Sequence, residues 1–451
     1  MTASWLDTLA DFLALGAPVG TVRDQAGLVL ADTIGAIAAG TLEPEFGRLA
    51  ADGSLPGRAT VPGTRLDVHP LRAALLNGIA GTAVEIDEGH YEAGGHPAIH
   101  CLAAALPEAE VRGASGRDLL DALILAYEAA TRIGAATSLR DAVHAHGTWG
   151  TIGAAVAVAR LRGFSTARMK KTLCVAASLT LATSRTSGLV GATVRTAYAG
   201  FGAQNGMLAC DLVEAGFEGE TNGLDIAFGQ VVGEAFDSRR IAANLGADWR
   251  IGGNFFKPHA SCRETHGAIE AWERLVRRPD APPIAAEMIA AIEIETFSHA
   301  ARLDEHAPHS PLAARYSLPF ALATRIRRGG ADVADFFQAA VEDPAIRRLA
   351  GLVRVTENAG MTARLPAERM TALKVTLEDG RSFSVEIEGS EGDPSRPLGP
   401  DRLAEKFRSV TRPVWGDEAP ELFERWRRID GEHSLASLLR RAPQKSDALA
   451  S

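Results

Sequence analysis

From Trp5 to about Gly216, apolar residues recur at the spacing of helix faces, as in DQAGLVLADTIGAIAAG, LRAALLNGIAGTAVE and GRDLLDALILAYEAATRIGAA. Alanine and glycine recur on those faces, so the helices can approach closely. Gly116 and Asp118 ahead of LLDALIL mark a helix start. Asp7 and Asp11 among the apolar positions of the first residues predict an amphipathic helix, not a signal peptide with a basic start. After about Gly253 the period changes. AIEIETF over 291–297 alternates as a half-buried strand does, and LKVTLEDGRSFSVEIEG alternates on both sides of Asp379-Gly380, which predicts a hairpin. Between these strands, SPLAARYSLPFALATRI reads as helix, with Ser310 as cap and Pro311 at the first helical position. The tail returns to helical periodicity in GPDRLAEKFRSV and APELFERWRRI, and the final QKSDALAS is expected to fray. The expected architecture is mostly α. A large helical domain over 1–255, completed by 397–451, carries a smaller α+β domain over 256–396.

A chain of 451 residues is longer than one ordinary core, which supports two domains. Apolar residues make up 46% and charged residues 23%, enough for a sizeable core. The net charge of −9 gives nucleic acid or an anionic membrane nothing to attract it, and no apolar run reaches membrane-spanning length. An anionic ligand would need local cations. The four cysteines are widely spaced with no CxxC pair, which suits a reducing cytoplasm.

Polar residues that a helical scaffold does not need gather in a few stretches. Glu85, Asp87, Glu88, His90, Tyr91, His96 and His100 lie in one loop between two apolar helices and its far edge. His96 and His100 are four apart, as metal ligands on a helix can be, yet Pro97 places His96 at a helix start and there is no HExxH pattern. Acid–base work, metal ligation and plain capping all remain open for this loop. His144 and His146 belong to a His-rich entry into a helix, whose free N–H groups would attract an anion. Arg195 precedes a glycine-rich helix and offers a fork that matches a carboxylate; a surface role is the alternative. Lys257-Pro-His259-Ala-Ser-Cys262-Arg263-Glu-Thr-His266 falls where the period changes, and fits either a ligand cleft or an interdomain salt-bridge network.

The Lys-Pro-x-x-x-Cys-Arg-x-x-His string and the His96-Pro97 helix start resemble the MmgE/PrpD family over nearly the whole chain. The resemblance implies Glu85 in place of an active-site aspartate, His96 and His144 as active-site histidines, and Lys257 as an active-site lysine. Asp87, His90, Arg195, Arg263 and His266 are the expected substrate contacts. The chain departs from the family at Gly89, where a threonine is usual, at Arg195, where decarboxylase-like members have lysine, and at Phe320, where many have tyrosine. The implied activity needs no cofactor and no metal. It is proton abstraction next to a carboxylate of a small di- or tricarboxylate, foremost in a 2-methylcitrate dehydratase-like reaction, with cis-aconitate-like decarboxylation or iminodisuccinate-like epimerisation as alternatives. A non-catalytic carboxylate-binding protein is the alternative of another class. A homodimer is implied, with neither nucleic acid nor membrane as partner. At this level His96 and His144 are expected to exchange protons near neutral pH, and Lys257→Met is expected to cost turnover while leaving the melting temperature little changed.

Overall fold

The computed structural model describes residues 4–51 and 55–439; the stretch QKSDALAS lies outside them. The protein is mostly helical, with strands confined to small sheets. Ser4 caps α1 (Trp5–Leu15) by accepting the Asp7 backbone N–H. There follow α2 (Gly20–Gly40), α3 (Pro70–Ala83), α4 (Pro97–Arg112), α5 (Gly116–Ala136), α6 (Trp149–Leu161), α7 (Thr166–Ala177) and α8 (Ala197–Glu214). The start of α5 is a capping box in which Ser115 and Asp118 satisfy each other's backbone N–H. Small residues set the spacing. A Cβ on Gly78 of α3 would collide with the backbone of Gly200 in α8, and one on Gly206 would collide with Ala154 and Ala155 of α6.

Two short strands, β1 (Gly89–His90) and β2 (Asn254–Phe255), pair antiparallel and clip the acidic loop to the segment that leads to Lys257. Beyond them, α9 (His266–Val276) packs on a sheet of four strands: β3 (Ile289–Thr296), β4 (Val353–Glu357), β5 (Thr371–Leu377) and β6 (Ser382–Ile387). Their order is β4-β3-β5-β6; β3 and β4 run parallel and the other neighbours antiparallel. Thr371, Leu373, Val375 and Leu377 of β5 face inward, and Gly380 at φ +86° turns the chain into β6, so the hairpin read from Asp379-Gly380 is present. The single helix expected over 310–326 is two. Ser317 caps a second helix, α10 (Leu318–Arg328), and the break leaves Tyr316 between them.

Buried apolar side chains fall into two clusters. One joins residues from Leu6 to Phe256 with residues from Leu398 to Leu439; the other is built chiefly from 260–387. The carboxy-terminal helices α11 (Pro400–Trp415) and α12 (Ala419–Arg427) lie on α2, where Gly35 admits Phe407 and Gly27 admits the Arg427 carbonyl. Lys406 of α11 pairs with Asp32 of α2 at 2.6 Å and donates to the Ile86 carbonyl at 2.7 Å, bracing the acidic loop from behind. Among the described residues, no single helix is long and apolar enough to cross a membrane.

Candidate active site

Helix α3 stops without a glycine. Val84 closes it and Glu85 takes φ +54°, the left-handed conformation in which helices commonly end, at a cost of about 1–2 kcal/mol for a residue with a Cβ. Strain of this kind at a buried carboxylate points to a side chain kept for its contacts. Glu85 is 1% exposed, ion-paired to Arg195 and 3.2 Å from Lys257 Nζ. The same two cations, joined by Arg315, serve the carbonyl end of α3, where the helix dipole is negative: Arg195 donates to Thr82 O, Arg315 to Ala83 O and Lys257 to Glu85 O. Burial opposes the charged form of Glu85, but Arg195 and Lys257 outweigh it and hold the carboxyl below its ordinary range.

Asp87 lies beyond, 3.6 Å from Lys257 Nζ and 3.1 Å from His96 Nδ1. His96 Nδ1 is also 2.6 Å from the Glu88 carbonyl oxygen, which can only accept, so this nitrogen carries a proton. The lone pair of the neutral ring is therefore on Nε2. Burial works against ionised Asp87, yet His96 and Lys257 keep it well below its usual value. Glu88 behaves oppositely. Burial and the nearby Asp87 and Asp32 charges push it up to about 8, so it stays a neutral acid that accepts the Ala98 N–H at the start of α4 and bonds the Tyr127 hydroxyl.

Facing His96 is a cluster of three further imidazoles: the His146 ring lies 5.2 Å from His96, 5.1 Å from His100 and 4.7 Å from His144. His100 donates from Nδ1 to the His96 carbonyl and accepts the Gly147 N–H at Nε2, which makes it structural. His144 accepts the His146 N–H at Nδ1, so its proton is on Nε2. Burial and the Arg195 charge hold His144 well below its ordinary value. The expectation of a histidine titrating near neutral pH is thus corrected for His144, which is a neutral hydrogen-bond donor.

Lys257, Glu85, Asp87, Arg195, His96 and His144 therefore meet around one buried centre. His90, Arg263 and His266, expected among the substrate contacts, have their hydrogen bonds elsewhere. His90 donates from Nε2 to the Arg250 carbonyl in the turn that precedes β2. Arg263 is spent on Asp393 at 2.6 Å, on Tyr91 and on the carbonyls of Ser390 and Glu391; His266 accepts from Arg263 and bonds Ser261 O. That is the salt-bridge network left open above, and it ties the acidic loop to the segment before α11. Phe320 is fully buried in the sheet-side core.

The N-terminal domain model of the MmgE/PrpD family matches residues 8–234, and its C-terminal domain model matches 259–427. This chain belongs to the MmgE/PrpD family. Over 387 residues it is 27% identical to a cis-aconitate decarboxylase of Aspergillus terreus, covering 80% of this chain and 78% of the relative. Human cis-aconitate decarboxylase is 24% identical over 421 residues, with 88% and 85% covered, and a cis-aconitate decarboxylase-like protein of Aspergillus oryzae is 25% identical over 400 residues, with 82% and 81% covered.

Sequence reasoning left Tyr316 out of this candidate site and gave Cys262 and His146 no role of their own. Tyr316 lies under the Arg195 guanidinium, 5.4 Å from ring centroid to charge, because the helix breaks at Ser317; the Ser-Leu-Pro after it, a cap residue ahead of a first-turn proline, was the available signal. Cys262 is near enough to feel Glu85 and Lys257, and burial pushes its thiol up to about 12, which rules it out as a ready nucleophile. His146 was read only as part of a His-rich turn.

Proposed function

We propose that this MmgE/PrpD protein is a cofactor-independent lyase that moves a proton at carbon next to a carboxylate of a small di- or tricarboxylate. The observation that carries this is His96: its Nδ1 proton is fixed by the Glu88 carbonyl and Asp87, so Nε2 is free to take a proton beside buried Arg195 and Lys257. Abstraction builds a second negative charge on the substrate carboxylate. Arg195 and Lys257 meet it from fixed positions, and Glu85 and Asp87 keep both cations charged and in place before substrate arrives. His144, a neutral Nε2–H donor, stabilises a departing hydroxide, which with the proton taken by His96 leaves as water.

Dehydration of a hydroxy acid such as 2-methylcitrate is the outcome this donor arrangement favours. Decarboxylation is a second reading, favoured by the activity named for the relatives. There the carbon–carbon bond to one carboxylate breaks, the electron pair passes toward the retained carboxylate, and protonated His96 supplies the new C–H. Proton NMR of the purified protein in deuterated water with citrate-like, cis-aconitate-like and aspartate-like acids tests both. Exchange of a carbon-bound proton with loss of water or carbon dioxide is expected. Binding of these acids with neither exchange nor product would leave a non-catalytic carboxylate-binding protein. We further propose that the two apolar clusters are two domains, with boundaries near 255 and 397, and that the protein works as a homodimer, which light scattering checks.

A further inference from the structure

His146 is 1% exposed, and neither of its ring nitrogens has a hydrogen-bond partner among the described residues. None of the neighbouring imidazoles bonds it: His100 uses both nitrogens on other groups, and His96 and His144 meet the His146 ring nearly edge-on, at 85° and 83°, without a hydrogen bond to it. Two orphaned polar atoms in one buried ring are a standing cost that a ligand can remove. Burial and Arg195 keep the ring neutral, so it offers one N–H donor and one bare acceptor nitrogen on different edges. A carboxylate only accepts. It can satisfy the N–H, whereas the bare nitrogen needs a donor, which a hydroxyl or amine provides.

We propose that His146 is a specificity-determining residue that reads a hydroxyl or amino substituent beside the substrate carboxylate, so that the substrate is a substituted di- or tricarboxylate. This rests on the proton chemistry proposed for the same site. It also separates this chain from a protein whose substrate, like cis-aconitate, carries carboxylates alone. A site with a buried donor and acceptor rejects the analogue lacking the matching group more strongly than an apolar pocket rejects an added hydroxyl.

The test compares acids that differ by that one group: malate and aspartate against succinate, and citrate against tricarballylate. Binding is measured by titration calorimetry, and proton exchange at carbon by NMR in deuterated water. The wild-type protein should bind the hydroxylated or aminated acid at least 10-fold more tightly than its unsubstituted partner. His146→Leu should abolish that ratio by weakening the substituted acid more than succinate, and His146→Asn, which keeps a donor and an acceptor, should restore part of it. A wild-type ratio near one, binding of none of these acids, or equal weakening of both members of a pair by His146→Leu would overturn the proposal. If the leucine variant fails to fold, His146→Asn decides: a ratio below the wild-type value is expected, and an unchanged ratio would overturn the proposal. A preference that depends on His146 without exchange at carbon would sink the lyase reading and leave this one standing. Exchange at carbon with no preference would do the reverse.

Discussion

Replacing Lys257 by methionine takes a cation from a fully buried position between Glu85 at 3.2 Å and Asp87 at 3.6 Å. The sequence reading expected the melting temperature to change little; the burial of all three groups reverses that. Removing one member of a buried ion pair costs about 3–5 kcal/mol, because the partner stays behind uncompensated. Arg195 still holds Glu85 and His96 still faces Asp87, which places the loss near the lower end of that range, at about 3 kcal/mol. Unfolding releases about 2.1 cal/mol/K per residue, so for a chain of 451 residues melting as one unit the midpoint falls by about 3 °C, and further if the helical core melts separately. Scanning calorimetry at pH 7 reads this, with turnover measured on the same samples. The double variant Glu85→Gln/Lys257→Met should lose less stability than the sum of its singles, since the second change removes the charge stranded by the first. Lys257→Arg should recover little, because the broader guanidinium must fit a pocket with no exposed surface. An unchanged midpoint for Lys257→Met, together with additive singles, would show that the pairs contribute nothing and that this account of the centre is wrong.

His96→Gln should lower deuterium exchange at substrate carbon by about 10²- to 10⁴-fold, the range for loss of a general base, and a smaller drop in the folded variant would remove His96 from that role. His144→Asn keeps an N–H donor and should retain more turnover than His144→Ala; equal losses would count against a neutral donor. Glu88 has a folded value of about 8 against an ordinary 4.5, so the unfolded chain loses this proton first and stability falls as pH rises from about 4.5 to about 8. Glu88→Gln should flatten that limb in urea titrations, and an unchanged pH slope would refute a neutral acid there. His90 and His100 sit at about 4 when folded and near 6.5 when unfolded; the unfolded state binds more protons in that window, and stability should fall as pH drops from about 6.5 to about 4. Gly78→Ala should destabilise by about 1–3 kcal/mol through collision with Gly200, and a neutral result in thermal melts would mean that α3 and α8 can move apart.

Local pattern determined much of the fold. The amphipathic first helix, the hairpin about Gly380, the Ser115 and Ser310 caps and the return to helix after Pro400 follow from interactions within a few residues, and such interactions are written in consecutive sequence. The gathering of Glu85, Asp87, His96, Arg195 and Lys257 was legible only through unusual polar stretches and the family they resemble. Periodicity does not say that an arginine at 195 and a lysine at 257 converge on the carbonyl end of one helix. Tertiary structure alone decided the finer chemistry. Two histidines of one loop part ways because Glu88 offers His96 a carbonyl and Arg250 offers one to His90. The His146 backbone fixes the His144 tautomer, and burial beside Arg195 keeps that ring neutral. Arg263, in the same family string as Lys257, is drawn off by Asp393 from a segment 130 residues away. Protonation and pairing depend on which groups the fold brings within a few ångströms and on how much water it removes, and neither distance nor desolvation is a property of a stretch of sequence.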